Sequence, residues 1–234
     1  MPPATIVFDL DGTLVDTAPD LIATLNVVFA EQNVPQMAFD EARALIGGGV
    51  KVLLERGLRA QNVPFTPADV DRLYDGYLER YAAHIADRSR PFPGLETALD
   101  RLAGQGCRFA VCTNKLEWLS VRLLEALGLA ERFAAICGQD TFGIQKPDPE
   151  MLRRTIGKAG GSGTSAIMVG DSVTDIDTAR AAGIPVIAVD FGYTETPVSL
   201  LAPDHVISHF DALPAAVAEL LTAPTDHRLR APGG

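Results

Sequence analysis

Short runs of apolar and β-branched residues recur along the chain and predict its fold class. Each run is apolar throughout and does not alternate with polar residues, which is typical of strands buried on both faces of a parallel sheet. The segments between most runs carry leucines at helical spacing. Strand and helix therefore alternate, which predicts an α/β fold with a doubly wound, mostly parallel, Rossmann-like sheet. The predicted strands are Thr5–Leu10, Arg108–Thr113, Ala134–Cys137, Ala166–Gly170, Pro185–Val189 and His205–Ile207.

The stretch from about Val15 to Arg90 departs from this alternation, because it contains no convincing strand. Its apolar residues fall into stripes at helical spacing, which predict about four helices. We therefore expect a helical cap domain, residues 16–88, inserted into an α/β core domain of residues 1–15 and 89–222. The composition of residues 223–234 is typical of a flexible tail.

Composition and charge narrow the range of partners. The chain carries 30 acidic and 20 basic residues, a formal net charge of −10. A protein this acidic lacks the positive field that attracts nucleic acids or anionic lipids, so we expect no nucleic-acid or membrane partner. The amino terminus has no basic region before its apolar residues, and three cysteines without C-x-x-C spacing argue against disulfides or zinc. We expect a cytoplasmic protein that is a monomer or a homodimer.

Two aspartates follow the first predicted strand, in the segment Asp9-Leu10-Asp11-Gly12-Thr13. Ligands of open α/β sheets bind beyond the carboxyl ends of the strands, so this segment occupies a favoured position for an active site. Asp and Gly also favour turns, and a simple turn is the alternative interpretation.

A second acidic group follows the predicted strand Ala166–Gly170 and consists of Asp171 and Asp175. A helix cap would explain it in isolation. If this strand neighbours the first one, however, several carboxylates converge, and each pair at ~5 Å costs ~3 kcal/mol at an effective dielectric near 20. A cation must offset that repulsion. A few oxygen ligands that leave room for water favour Mg²⁺ over Zn²⁺ or Ca²⁺.

Two further features point to the same edge of the sheet. Thr113 and Asn114 close the second predicted strand with a hydroxyl and an amide, and Lys146 stands before Pro147 in a loop that precedes a helix. In isolation, the threonine would be read as a helix cap and the lysine as a solvated surface residue. Together with the carboxylates, they place a nucleophile, a hydroxyl and a cation in order at strand ends.

This set of motifs resembles the haloacid dehalogenase superfamily of phosphohydrolases, with D-x-D-G-T, a strand-end Thr, a Lys before Pro, and G-D-S-x-x-D. The resemblance covers nearly the whole chain, including the inserted cap. Within the superfamily, the sequence is most similar to bacterial phosphoglycolate phosphatases, on the segments 8–17, 46–50, 53–56 and 146–149. The resemblance implies Mg²⁺-dependent hydrolysis of a small anionic phosphorylated metabolite, with 2-phosphoglycolate as the first candidate.

The resemblance also implies a role for each acidic residue. Asp9 would be the nucleophile that forms an aspartyl-phosphate, a known covalent route for carboxylates. Asp11 would protonate the departing alcohol and then take a proton from the hydrolytic water. Asp9, the backbone carbonyl of Asp11, and Asp171 would hold Mg²⁺, with Asp175 as a further ligand or a neighbour of one.

Substrate contacts are implied in both domains. Thr113 and Lys146 would bind the phosphoryl oxygens, with Asn114 beside them. In the cap, Gly47, Gly48 and Gly49 precede a predicted helix, 50–59, whose exposed amides suit a carboxylate, and we group Lys51 with them. A flexible hinge is the alternative interpretation of these glycines.

Several related functions remain open. A phosphatase of sugar phosphates, amino-sugar phosphates or pyrophosphate, or a phosphosugar mutase, would use the same core residues. A dehalogenase is disfavoured because it lacks an aspartate at the position of Asp11 and needs no metal. A phospho-acceptor signalling module shares the strand-end Asp, Thr and Lys, but it is about half this length and has no cap.

Overall fold

Eight strands make up the β-structure of the computed structural model, which describes residues 3–194 and 196–222. Six of them form one parallel sheet in the order β5-β4-β1-β6-β7-β8, and β2 pairs with β3 in a small antiparallel ribbon. The predicted tail, residues 223–234, lies outside the described residues. The strands are β1 (Thr5–Phe8), β2 (Val15–Asp16), β3 (Arg90–Pro91), β4 (Arg108–Cys112), β5 (Ala135–Cys137), β6 (Ala166–Gly170), β7 (Val186–Val189) and β8 (His205–Ile207).

Nine α-helices within the described ranges connect and cover these strands. Four of them follow one another between β2 and β3, as the helical spacing of that stretch predicts. Across the described chain, none of the helices combines the length and apolar character needed to cross a membrane. The helices are α1 (Ala18–Glu31), α2 (Phe39–Arg43), α3 (Val50–Ala60), α4 (Pro67–Ala83), α5 (Leu95–Gly104), α6 (Glu117–Ala126), α7 (Pro149–Lys158), α8 (Val173–Ala182) and α9 (Leu213–Thr222).

Successive residues of the central strand β1 face opposite layers. Ile6 and Phe8 belong to a core that includes buried residues of α5, α6, α9 and the inserted helices. Val7 belongs to a second core with residues of α7 and α8 on the other face. Both faces of the sheet are therefore covered, which explains the continuous apolar runs and confirms the predicted doubly wound α/β fold.

The first strand ends earlier than predicted. It stops at Phe8 instead of Leu10 because the Leu10 carbonyl accepts hydrogen bonds from Thr13, Leu14 and Val15, and the chain turns there. The Asp9 amide still donates to the Val169 carbonyl of β6 at 2.9 Å. Asp9 is thus held at the end of the strand ladder, and Asp11 lies in the turn.

The expectation of no strand between Val15 and Arg90 is wrong at both ends of that stretch. Val15 pairs with Pro91 and Asp16 with Arg90, which forms the ribbon of β2 and β3. Each strand has two residues, too few to give a period-two pattern in the sequence. The ribbon brings the two connections to the inserted helices side by side. The division at residues 16–88 into cap and core stays a prediction.

A buried aspartate ties these two connections together. Asp20, in the first turn of α1, is 3% exposed. Its carboxylate accepts hydrogen bonds from the backbone amides of Arg88 and Ser89 and from the Ser89 hydroxyl, the last two at 2.7 Å. The entry to α1 is therefore anchored to the segment just before β3.

We expect Asp20→Ala to lower the free energy of unfolding by about 3 kcal/mol, because the Arg88 amide and the buried amide and hydroxyl of Ser89 lose their acceptor. Urea denaturation monitored by circular dichroism measures the change. Asp87→Ala is the matched control, since the Asp87 side chain is 61% exposed and should change stability by less than about 0.5 kcal/mol. Equal effects of the two substitutions would contradict the anchoring role.

Candidate active site

Three carboxylates converge where β1 and β6 end. Because these strands are neighbours in the parallel sheet, their carboxyl ends open at the same edge. One carboxylate oxygen from each of Asp9, Asp171 and Asp175 lies within 4.8 Å of the others. The structure therefore brings together three of the residues predicted to surround a metal ion.

Asp9 is a buried carboxylate beside a cation. Its Oδ1 lies 2.8 Å from Nζ of Lys146. Apart from that ammonium group, this oxygen has no hydrogen-bond partner within the described residues. Burial raises the pKa of Asp9 to about 6, Lys146 acts against that shift, and Asp175 adds to it. Asp9 thus presents an oxygen that a ligand or a metal ion would satisfy.

Asp171 is held from two sides. The Thr13 hydroxyl donates to its Oδ1 at 2.9 Å, and the Tyr193 amide donates to its Oδ2 at 2.8 Å. Burial, followed by the charges of Asp175 and Asp9, raises the pKa of Asp171 to about 8. Gly12 makes this approach possible, because it has φ +83° and a Cβ there would lie 2.5 Å from Asp171 Oδ2.

Asp175 lies behind the other two carboxylates. It is fully buried, and its Oδ1 accepts a hydrogen bond from Lys146 Nζ at 2.5 Å. Its Oδ2 accepts from the amide and the hydroxyl of Ser172, which form the capping box at the start of α8. Burial acts to lower the pKa of Lys146, but Asp175 and Asp9 together raise it. Lys146 is therefore a fixed cation between two carboxylates.

Thr113 and Asn114 follow β4 at the same edge. Both are buried and line the cavity described below. The Asn114 side chain donates to the Lys146 carbonyl at 3.0 Å and accepts from the Lys146 amide at 2.8 Å. Both polar atoms of the Asn114 side chain thus bond to the backbone of Lys146. These bonds link the end of β4 to the loop that contains Lys146.

A second lysine, which the sequence analysis did not single out, contacts Asp11. Lys115 Nζ lies 3.0 Å from each Asp11 carboxylate oxygen, and the Thr17 hydroxyl donates to Asp11 Oδ1 at 2.8 Å. The Lys115 side chain is 4% exposed and lies over the Tyr81 ring. Its place directly after Asn114, at a strand end, is the signal that was available in the sequence.

A cavity of about 560 Å³ lies between this edge and the inserted helices. On the cap side, Gly47, Gly48 and Gly49 all have positive φ, which explains the glycine run before α3. Gly49 lies against the Asn114 carbonyl and the Gln139 side chain. The predicted site residues that line the cavity are Asp9, Asp11, Gly47, Gly48, Gly49, Thr113, Asn114, Lys146 and Asp171.

The structure does not bring Lys51 to this cavity. Its Nζ lies 2.5 Å from Asp71 and 5.1 Å from the centre of the Tyr74 ring, and its side chain is 53% exposed. Among the described residues that line the cavity, the cations are Arg56, Lys115 and Lys146. Asp175 does not line the cavity either, because the Lys146 ammonium group lies against its Oδ1.

The donor set fits a hard divalent cation. The cluster offers carboxylate oxygens and contains no histidine or cysteine ligand among the described residues, which suits Mg²⁺ better than Zn²⁺. Lys146 contacts Asp9 and Asp175 but not Asp171, whose pKa is raised by burial and then by the charges of Asp175 and Asp9. A bound dication would favour the ionised form of each carboxylate.

Fold and site together define an α/β enzyme with carboxylates at the ends of parallel strands and a helical insertion over them. A family model described as haloacid dehalogenase-like hydrolase matches residues 6–189. The chain therefore belongs to the haloacid dehalogenase-like hydrolases, as the resemblance of its motifs implies.

Individual relatives agree with this assignment. The chain is 52% identical over 224 residues to a protein of Mesorhizobium japonicum named phosphoglycolate phosphatase, covering 95% of this chain and 98% of that one. A protein of the same name from Caulobacter vibrioides is 44% identical, with 94% and 93% covered. A crystal structure from Haemophilus somnus 129PT, described as a predicted phosphoglycolate phosphatase, has a TM-score of 0.85 and 29% identity, with 92% and 97% covered.

We expect the metal-free protein to lose thermal stability as pH rises from 6 to 8.5. The folded state holds protons on Asp9 and Asp171 at pH values where the unfolded chain has released them, because both pKa values are raised. Asp171 contributes a slope of up to about 1.4 kcal/mol per pH unit until the pH passes its folded pKa of about 8, whereas Asp9 contributes mainly below pH 6. Both contributions vanish below the unfolded pKa near 4, where the folded and the unfolded chain are equally protonated. Differential scanning calorimetry in EDTA measures this dependence.

Adding Mg²⁺ should raise the melting temperature more at pH 8.5 than at pH 6, because the ion competes with protons for the same oxygens. Asp171→Asn is the control variant and should flatten the pH dependence in this range. A melting temperature that increases with pH in EDTA, combined with an Mg²⁺ effect independent of pH, would contradict the assignment.

Proposed function

We propose that the protein is a Mg²⁺-dependent phosphatase that hydrolyses 2-phosphoglycolate to glycolate and phosphate through an aspartyl-phosphate on Asp9. The observation that carries the proposal is the Asp9 carboxylate at the cavity wall, whose Oδ1 is contacted only by Lys146, at 2.8 Å. The name shared by the Mesorhizobium and Caulobacter relatives supports the choice of substrate.

In the first step, an Asp9 oxygen forms a bond to phosphorus while the bond from phosphorus to the ester oxygen breaks. Asp11, which takes up a proton from solvent before this step, gives that proton to the ester oxygen, so that glycolate leaves with a neutral hydroxyl. Lys146 and the Thr113 hydroxyl bind the phosphoryl oxygens and stabilise the charge that develops on them. Asn114 supports this step through its two hydrogen bonds to the Lys146 backbone.

In the second step, water attacks the phosphorus of the aspartyl-phosphate. Asp11, now a carboxylate, takes a proton from the water, and the bond between Asp9 and phosphorus breaks to release phosphate. Asp11 suits both steps because it lies in the turn two residues after the nucleophile and lines the same cavity.

Asp9, the backbone carbonyl of Asp11, and Asp171 would hold Mg²⁺, which supplies charge neutralisation for the transferring phosphoryl group. We assign Asp175 a positioning role, because both of its oxygens are engaged by Lys146 and Ser172. In this role it fixes the ammonium group of Lys146 next to Asp9.

The leaving group would be enclosed by the cap side of the cavity. Gly47, Gly48 and Gly49 lead into α3 and face the core loop that contains Asn114 and Gln139. Backbone amides at the start of a helix favour anions, so this loop adds a favourable field for an anionic leaving group. Lys51 takes no part in this proposal, since its ammonium group pairs with Asp71.

Asp9→Asn should lower kcat for 2-phosphoglycolate by at least about 10³-fold, because the nucleophile is lost. Phosphate release in Mg²⁺ measures the change, and circular dichroism checks that the variant is folded. The matched control is Asp87→Asn, on the exposed segment after α4. Activity that survives Asp9→Asn, or that persists undiminished in excess EDTA, would refute the proposal.

Asp11→Asn should separate the two steps when 4-nitrophenyl phosphate is the substrate. The nitrophenolate needs no proton to leave, so the first step should still release about one equivalent of product per site. The second step should then stall, because no carboxylate activates water. Rapid-quench kinetics measures this burst, and steady turnover at the unmodified rate would exclude Asp11 as the acid and base.

A further inference from the structure

Lys115 is a buried cation that takes no part in the proposed phosphoryl transfer. It lies in the loop after β4, and its side chain is 4% exposed. Its ammonium nitrogen is 3.0 Å from both oxygens of Asp11 and 4.6 Å from the centre of the Tyr81 ring. An ammonium group in this position has lost most of its water, and Asp11 and the ring face replace it.

The backbone of Lys115 is held at both of its polar atoms. Its amide donates to the Thr113 hydroxyl at 3.2 Å, and its carbonyl accepts from the Gln139 amide at 3.1 Å. Gly138 packs so closely on this loop that a Cβ there would clash with the Lys115 carbonyl. The lysine therefore projects from a rigid base, as a residue that selects a substrate should.

The three cations that line the cavity in the described chain have different partners. Lys146 lies between Asp9 and Asp175, on the side where phosphorus is attacked. Arg56 donates to the Leu45 carbonyl within the inserted helices. Lys115 alone among them contacts Asp11, the residue proposed to protonate the ester oxygen. The two lysines thus divide the site into a phosphoryl side and a leaving-group side.

We propose that Lys115 is a specificity-determining residue that binds the carboxylate of the leaving group; this inference rests on the proposed function. Asp11 must lie within about 3 Å of the ester oxygen to protonate it, so Lys115 Nζ lies within about 6 Å of that oxygen. In 2-phosphoglycolate, one methylene carbon separates the ester oxygen from the carboxylate. The substrate's anionic end therefore falls within reach of Lys115.

Binding of such a substrate changes the partner of the lysine. The substrate carboxylate takes up a hydrogen bond from Lys115 that Asp11 accepts in the free protein, and Asp11 turns toward the ester oxygen. A phosphate ester without a nearby anion leaves the pair of Lys115 and Asp11 intact. The site consequently selects phosphate monoesters that carry a carboxylate one carbon from the ester oxygen.

The test compares 2-phosphoglycolate with ethyl phosphate, which lacks the carboxylate, in the unmodified protein, Lys115→Met and Lys115→Arg, all with Mg²⁺. The measured quantity is the ratio of the two kcat/KM values. We expect the unmodified protein to favour 2-phosphoglycolate, and Lys115→Met to lower the ratio about 100-fold through loss of a charged hydrogen bond. Lys115→Arg should restore part of the preference, because it keeps the charge.

Lys158→Met is the matched control, since Lys158 lies on α7 with a side chain 45% exposed and should leave the ratio unchanged. Equal losses for both substrates in Lys115→Met would overturn the inference and reduce Lys115 to a positioning residue for Asp11. Equal kcat/KM values in the unmodified protein would overturn it without any variant. No phosphate release from 2-phosphoglycolate by the unmodified protein would instead refute the proposed function, and this inference with it.

Discussion

Repulsion among converging carboxylates is the interaction on which the site depends. Oxygens of Asp9, Asp171 and Asp175 lie within 4.8 Å of one another, and each ionised pair at that separation costs about 3 kcal/mol at an effective dielectric near 20. Lys146 offsets part of this energy by contacting Asp9 and Asp175. Asp171 has no cationic partner in the described ranges, and burial, followed by the charges of Asp175 and Asp9, raises its pKa. A divalent cation bound by Asp9 and Asp171 would supply the missing charge.

The fold provides this arrangement through a few close contacts. Adjacent parallel strands bring two acidic segments to one edge, and Gly12 lets the first turn approach Asp171 without a steric clash. The inserted helices cover this edge, and Asp20 ties their two connections together. Two lysines then face two aspartates: Lys146 contacts Asp9, the proposed nucleophile, and Lys115 contacts Asp11, the proposed acid and base. The two ion pairs therefore lie at the same edge of the sheet.

The sequence predicts those features that depend on strand order and residue type. Apolar runs predict the sheet, and the strand-end position of Asp9 and Asp171 predicts their approach. Contacts that depend on side-chain direction could not be predicted from the sequence. The ion pair of Lys115 with Asp11, for example, joins residues 104 positions apart. Lys51 is a residue for which the sequence was misleading. Its position after the glycine run suggested substrate binding, but its side chain pairs with Asp71. The two-residue ribbon was too short to leave a periodic signal.

A metal ion shared by Asp9 and Asp171 can be located by anomalous diffraction from crystals soaked in Mn²⁺, an anomalously scattering substitute for Mg²⁺. We expect one strong peak at the ends of β1 and β6, within about 2.5 Å of a carboxylate oxygen of both Asp9 and Asp171. A peak whose ligands include neither or only one of these aspartates, or no peak at saturating Mn²⁺, would contradict the account.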